Sequence, residues 1–144
     1  MKSLLQRVTR AEVRVADQVV GQIAAGVVVF VAVERGDQEG MLHQMAERIV
    51  RLRMFSDDAG RMNRSLLECG GAALVVSQFT LAADLAKGHR PSFSRAEAPD
   101  RARHLYHQFC LDLAQQGVEV AQGVFGADMQ VDLVNDGPVT FWLE

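Results

Sequence analysis

Two short segments carry the side chains best suited to chemistry: Ser77-Gln78-Phe79-Thr80-Leu81 and Asn135-Asp136-Gly137-Pro138-Val139-Thr140. Each ends an apolar, strand-like run, Ala73-Leu74-Val75-Val76 before the first and Met129 to Val134 before the second. Hydroxyl and amide groups at the end of a buried strand are held by a rigid element yet face outward, where they can bind or polarise a ligand. Gly137-Pro138 adds a backbone device. Glycine reaches angles closed to other residues, and an X-Pro bond is the one place where a cis peptide is cheap. Asn-Asp-Gly-Pro is equally the composition of a plain turn. Thr80 is the tempting nucleophile, but no base is apparent to activate it, and a strand-end threonine is commonly a β-former with a locally satisfied hydroxyl. The sequence has no Gly-x-Ser-x-Gly elbow. His104-x-x-His107 has a chelating spacing, but no Cys, Asp or Glu completes an obvious set, so neither a metal nor another cofactor is expected.

The chain that must position these groups has 144 residues, enough for one domain over 1–144 with a core that needs no staples. A net charge of −3 argues against a protein that coats nucleic acid electrostatically, so no DNA partner is expected; it leaves room for one that grips a single RNA end. The N-terminus lacks the charged-then-apolar pattern of a signal peptide, and the apolar run Val27 to Val33 is far too short to span a bilayer. Cys69 and Cys110 read as free thiols in a cytoplasmic protein, both small apolar core residues.

Val13 and Val15 alternate with Glu12 and Arg14 as in a half-buried strand. A turn at Asp17-Gln18 leads into a second strand with Val19, Gly21 and Ile23 on one face. Gly26 opens the β-branched run Val27 to Val33, a strand buried on both faces, and Gly36-Asp37 breaks it. Leu42, Met45, Ala46, Ile49 and Leu52 recur at helical spacing, which predicts a helix from about Glu39 to Met54. Turns at Asp57 to Gly60 and Gly70-Gly71 flank the approach to a strand at Leu74 to Val76. The stretch Ala83 to Pro99 has no period. Pro99 and Asp100 suit the first turn of a second helix with Leu105, Phe109 and Leu113 as its core stripe, and Gly117 ends it. Three further strands are expected: Val118 to Ala121, Met129 to Val134 and Val139 to Leu143. This order predicts a mixed α/β domain with its helices on one face of the sheet structure. Trp142 is expected to be buried in its strand or at a subunit interface.

These residues resemble the D-aminoacyl-tRNA deacylase family from end to end. The resemblance rests on Gln6-Arg7-Val8, Gly70-Gly71, Ser77 to Leu81, Arg90-Pro91-Ser92-Phe93, Phe125 to Val131, and Asn135 to Thr140. Met62-Asn63-Arg64 and His89 depart from it at loop-like positions. The resemblance implies a single-domain three-layer α/β fold, with two sheet layers and one helical layer. It implies a cytoplasmic homodimer that hydrolyses the ester between a D-amino acid, or mischarged glycine, and the 3′-terminal adenosine of tRNA. Ser77, Gln78, Phe79 and Thr80 would form the catalytic segment, its backbone amides placing the carbonyl while the ribose 2′-hydroxyl assists. Arg7, Phe125, Met129, Asn135, Gly137 and Pro138 would bind substrate. In such a protein Phe125 stacks on adenine, and Arg7 braces a cis Gly137-Pro138 that enters the other subunit's site to exclude L-side chains. Read without the resemblance, Phe125 is a core aromatic and Arg7 an exposed strand arginine, while Lys87, Arg90 and Arg95 are equally a solvated basic loop or contacts to the tRNA backbone. Two other functions stay open: a module that binds an RNA end without cleaving it, and an esterase for small metabolites.

Overall fold

The organising element is β1 (Lys2–Val15), whose Leu5, Val8, Ala11 and Val13 are buried while Arg10 and Glu12 turn outward or lie at the margin. The computed structural model describes residues 1–86 and 88–144. Ala16 and Asp17 both take positive φ, 48° and 65°, and make the tight turn into β2 (Gln18–Ile23), one residue earlier than expected. Two left-handed residues match the twist of an antiparallel pair. Of the β2 face expected to be apolar, Ile23 is buried but Val19 is 48% exposed. β3 (Gly26–Ala32) is buried along both faces, as its unbroken β-branched run requires.

α1 (Glu39–Arg51) stops short of the expected Met54, because Leu52 is already extended. Met54 is nonetheless fully buried, so the apolar period outlasts the helix. The turn at Asp57 to Gly60 closes a small hairpin, β4 (Phe55–Ser56) with β5 (Met62–Arg64), around the Asp57 carboxylate, which accepts from the N–H groups of Ala59 and Arg61 at 2.9 Å each. α2 (Leu66–Cys69) carries a reciprocal cap between Ser65 and Glu68 and ends on left-handed Gly70. β6 (Ala72–Ser77) leads into a 3-10 turn at Phe79–Ala82. α3 (Pro99–Gln115) begins with proline in its first turn and is followed by Gly117 at φ +92°. β7 (Glu119–Gln122) and β8 (Gln130–Leu143) complete the chain.

β8 corrects two expectations at once. Met129 to Val134 and Val139 to Leu143 are one strand, because both parts pair with β1. Val8 lies opposite Asn135 and Gln6 opposite Thr140, so residues 136–139 bulge out of a continuous ladder. Cys69 is exposed, not core, with its Sγ turned to Leu66 O; Cys110 is buried as expected. Trp142 is 45% exposed, so its own strand does not bury it.

The sheet runs β2-β1-β3-β6-β7, with β8 on the other edge of β1. β3, β6 and β7 are parallel neighbours, and β1 is antiparallel to β2, β3 and β8. The sheet curls until β2 lies against β7: a side chain at Gly21 would strike the Gln122 backbone. Val8, Val13, Ile23, Val28, Leu74 and Val76 fill the space inside this nearly closed sheet. On the outer face, Leu5, Val27, Val29 and Val75 pack against Leu42 and Ile49 of α1 and Leu105, Phe109 and Leu113 of α3. Each such large apolar side chain contributes about 1.5–3 kcal/mol on full burial. The result is two sheet layers and one helical layer.

Candidate functional site

β6 sends Leu74 and Val76 into the sheet interior and Ala73 and Val75 toward the helices, then ends at Ser77. The Gln78 N–H donates to Val31 O at 2.8 Å, which fixes the point where the chain leaves the sheet. The 3-10 turn is closed by the Leu81 N–H on Gln78 O and the Ala83 N–H on Thr80 O, each at 3.1 Å. The first N–H groups of a helical turn have no acceptor inside it, and among the described residues those of Phe79 and Thr80 have no backbone partner outside it either. The Thr80 hydroxyl accepts from the Gln78 side-chain amide and is exposed; among the described residues no base hydrogen-bonds to it.

Beside this turn lies a cleft of about 460 Å³. Ser77, Gln78 and Phe79 form one wall. Phe125 and Met129, from the segment between β7 and β8, form the opposite wall. Ala96, Glu97, Pro99 and Ala102 close it where α3 begins. Three stretches far apart in sequence thus meet, including five of the residues expected from sequence. Thr80 itself does not line the cleft. The Phe125 ring is half-buried, with the Tyr106 ring at 5.8 Å and the Arg103 guanidinium at 5.4 Å from its centroid. Phe79 leans on Phe93, ring to ring at 4.9 Å.

Glu97 is the cleft's one ionisable lining residue among the described residues, and sequence reasoning missed it. Its Oε1 accepts the Ala98 N–H at 2.7 Å, and its Oε2 holds Arg101 at 3.0 Å. A carboxylate just before Pro99 was a helix-start signal that could have drawn attention to it. Tyr106 of α3 carries no signal in the sequence that would single it out. It is buried, and its hydroxyl donates to Val75 O at 2.9 Å. Burial, then the adjacent Cys110, push the Tyr106 phenol well above its ordinary range; burial likewise pushes the Cys110 thiol up to about 12.

The remaining expected residues form a second group on β1 and β8. Arg7 is not an exposed strand arginine: its side chain is only 11% exposed. Its Nη1 donates to Met54 O at 2.7 Å and its Nε to Asp136 O at 3.2 Å, with the Asp136 carboxylate at 3.3 Å. The Asn135 amide donates to Arg7 O at 2.9 Å and to Val139 O at 3.1 Å, stitching the bulge shut at its base. The Gly137-Pro138 bond is cis, and Gly137 sits at φ +128°. A Cβ there would stand 2.8 Å from Val139 Cγ2 and 3.1 Å from Arg7 Nη2. None of Arg7, Asn135, Gly137 and Pro138 lines the cleft of their own chain. Of the loop cations, Arg90 is exposed, Arg95 pairs with Glu34 at 3.4 Å, and Lys87 lies outside the described residues.

A family model described as D-Tyr-tRNA(Tyr) deacylase matches residues 4–144. The chain belongs to that family. It is 58% identical over 145 residues to a protein of Magnetococcus marinus named D-aminoacyl-tRNA deacylase, covering 100% of this chain and 96% of that protein. A Ruegeria protein of the same name is 55% identical over 144 residues, covering 100% of this chain and 92% of its own. Among solved structures, one titled c-Myc DNA Unwinding Element Binding Protein superposes with a TM-score of 0.94 at 36% identity, covering 100% of this chain and 98% of the other. One titled as a probable eukaryotic D-amino acid tRNA deacylase superposes at 0.85 with 21% identity, covering 99% and 97%, and shows the shared three-layer fold.

Proposed function

We propose that this protein hydrolyses D-aminoacyl-tRNA, and glycine mischarged on tRNA, to free tRNA and amino acid, and so proofreads chirality in translation. The observation that carries this reading is the cleft in which the Ser77 to Phe79 wall faces Phe125 and Met129, in a chain of this family. The terminal adenine stacks on Phe125, a contact of the kind that contributes about 1–3 kcal/mol per base. The ester carbonyl then lies at the Phe79 N–H, where the turn opens into the cleft, and this donor stabilises the oxyanion as water attacks. The bond from carbonyl carbon to ribose oxygen breaks, the 3′-oxygen leaves with a proton, and the amino acid departs as its carboxylate. Among the described residues that line the cleft, no side chain is poised as base. Glu97 is already engaged by Arg101 and the Ala98 N–H, and the Thr80 hydroxyl by Gln78. The neighbouring ribose 2′-hydroxyl supplies that help.

Chiral selection belongs to Gly137-Pro138 of a second copy. Its backbone carbonyls stand where an L-side chain would point, so an L-ester meets a clash and an unpaired polar group, while a D-residue or glycine does not. Homodimerisation is supported by β8, which among the described residues pairs with β1 alone and exposes Val134 and Trp142 along its length. The partners are thus the aminoacylated 3′ end of tRNA and a second copy of the chain, in the cytoplasm. No helix of the described residues is long and apolar enough to cross a membrane.

The test is hydrolysis of D-tyrosyl-tRNA and L-tyrosyl-tRNA by purified protein with a chelator present. Loss of the D-ester alone is expected. Protection of both esters would favour an RNA-end binding module. Equal cleavage of both would keep the ester hydrolase but remove the role given to Gly137-Pro138.

A further inference from the structure

The carbonyl of Val75 is the point at which the two long walls of the cleft part company. Val75 is the last residue of β6 paired with β7, opposite Gln122. Beyond it, β6 runs through Val76 to Ser77, Gln78 and Phe79, and the segment after β7 runs through Gly123 to Phe125 and Met129. Val75 O accepts two hydrogen bonds, one from the Gly123 N–H at 2.9 Å and one from the Tyr106 hydroxyl at 2.9 Å. A carbonyl has two lone pairs, so both are used. Tyr106 is 1% exposed, and its ring meets the Phe125 ring at 5.8 Å. Gly123 in turn lies under Met129: a Cβ there would stand 2.7 Å from Met129 Sδ. One buried side chain of α3 thus touches the root of the Ser77 wall with its oxygen and the Phe125 wall with its ring.

We propose that Tyr106 is a positioning residue that clamps the two walls at their base and sets the span that an adenosine and its aminoacyl group must bridge. This rests on the deacylase reading for the identity of the ligand, but not for the clamp itself. Tyr106 does not line the cleft, so its effect on substrate is carried through Val75, Gly123 and Phe125. A hydroxyl on a rigid helix suits this task. Helix α3 is anchored by Leu105, Phe109 and Leu113 in the core, and the hydrogen bond is directional where packing alone is not.

The test uses Tyr106→Phe, which keeps the ring against Phe125 and removes only the oxygen. Two ligands are compared by calorimetry: adenosine, which occupies one wall, and 3′-amino-3′-deoxyadenosine carrying D-tyrosine in amide linkage, which spans both. The spanning ligand is expected to weaken about tenfold, the scale of one net hydrogen bond, while adenosine changes less than about twofold. Amide hydrogen exchange at Gly123 is expected to quicken about tenfold, with α1 unchanged, because the clamp opens locally. Phe109→Leu, a core truncation on the same helix, should lower the melting temperature and leave the ratio of the two affinities as in the parent. Equal weakening of both ligands in Tyr106→Phe, or unchanged exchange at Gly123, would overturn the clamp. If the parent protein binds neither ligand, the deacylase reading fails, and the exchange at Gly123 still decides the clamp.

Discussion

Thr80 shows how little a residue type says without its neighbours. A threonine beside a candidate active-site cleft invites assignment as nucleophile, yet its hydroxyl accepts from Gln78 and among the described residues no base hydrogen-bonds to it. An unactivated hydroxyl is a weak nucleophile at neutral pH. What the segment offers instead is backbone N–H groups, which any side chain at position 80 leaves in place. Thr80→Ala is therefore expected to keep kcat/KM for D-tyrosyl-tRNA within about tenfold of the parent, whereas deleting a true serine-type nucleophile costs about a millionfold. Single-turnover hydrolysis separates the two, and a trapped acyl-Thr80 species would overturn the backbone account. The same residue scale explains why the site was only partly legible. Ser77, Gln78, Phe79, Phe125 and Met129 announced themselves by motif. Glu97 and Tyr106 did not: a carboxylate before a helix reads as a cap, and a tyrosine beside Phe109 reads as core. Their contacts with the cleft are made across long sequence separations that no local pattern records.

At the scale of elements, legibility followed the strength of the local signal. α1 and α3 were plain because burial imposed one period on each over many residues, and β3 because burial on both faces demanded an unbroken β-branched run. α2 was missed because four residues carry no period, although Ser65 followed by Glu68 is a capping signature. The bulged β8 was split in two because a Gly-Pro step normally ends a strand, and only the shared partner β1 keeps this one continuous. The cap of α2 gives a quantitative expectation. Ser65 Oγ accepts the Glu68 N–H at 3.2 Å, and the Glu68 carboxylate accepts the Ser65 N–H at 2.7 Å. Ser65→Ala should cost about 1 kcal/mol, or about 2–4 °C in melting temperature. The Ser65 N–H, then its hydroxyl, hold the Glu68 carboxyl below its ordinary 4.5. A depressed carboxylate pKa means that the unfolded chain takes up its proton first. The contribution is therefore present above pH 4.5 and fades as pH falls through the lower folded value. Thermal melts at pH 7 and pH 3 should show the deficit of Glu68→Gln, which removes the charge that the Ser65 N–H holds, shrinking on acidification; a constant deficit would mean that the ionised carboxylate takes no part.

At the scale of the whole molecule, the central fact is separation. The cleft is built by β6, the segment before β8, and the start of α3, while Gly137-Pro138 is held on the far side of a bulge by Arg7 and Asn135. The Arg7 guanidinium spans Met54 O and Asp136 O, which fixes the bulge to the body of the chain and leaves Pro138 exposed. An exposed, braced loop that does not serve its own cleft can serve that of a symmetric neighbour, since in a two-fold dimer each surface meets its counterpart. On the proposed reading chiral selection is a property shared between chains, and subunit mixing tests it. Phe125→Ala should cripple the cleft and spare the selecting loop. Deleting Gly137 and Pro138 should spare the cleft and abolish selection. A heterodimer of the two holds one site in which an intact cleft meets an intact loop. After co-refolding, half the dimers are mixed and each has one such site, so about a quarter of parental selective sites should return, read as D-tyrosyl-tRNA cleaved in preference to its L-counterpart. If the loop acted within its own chain, every cleft competent for turnover would lack a loop, and mixing would restore none of that preference.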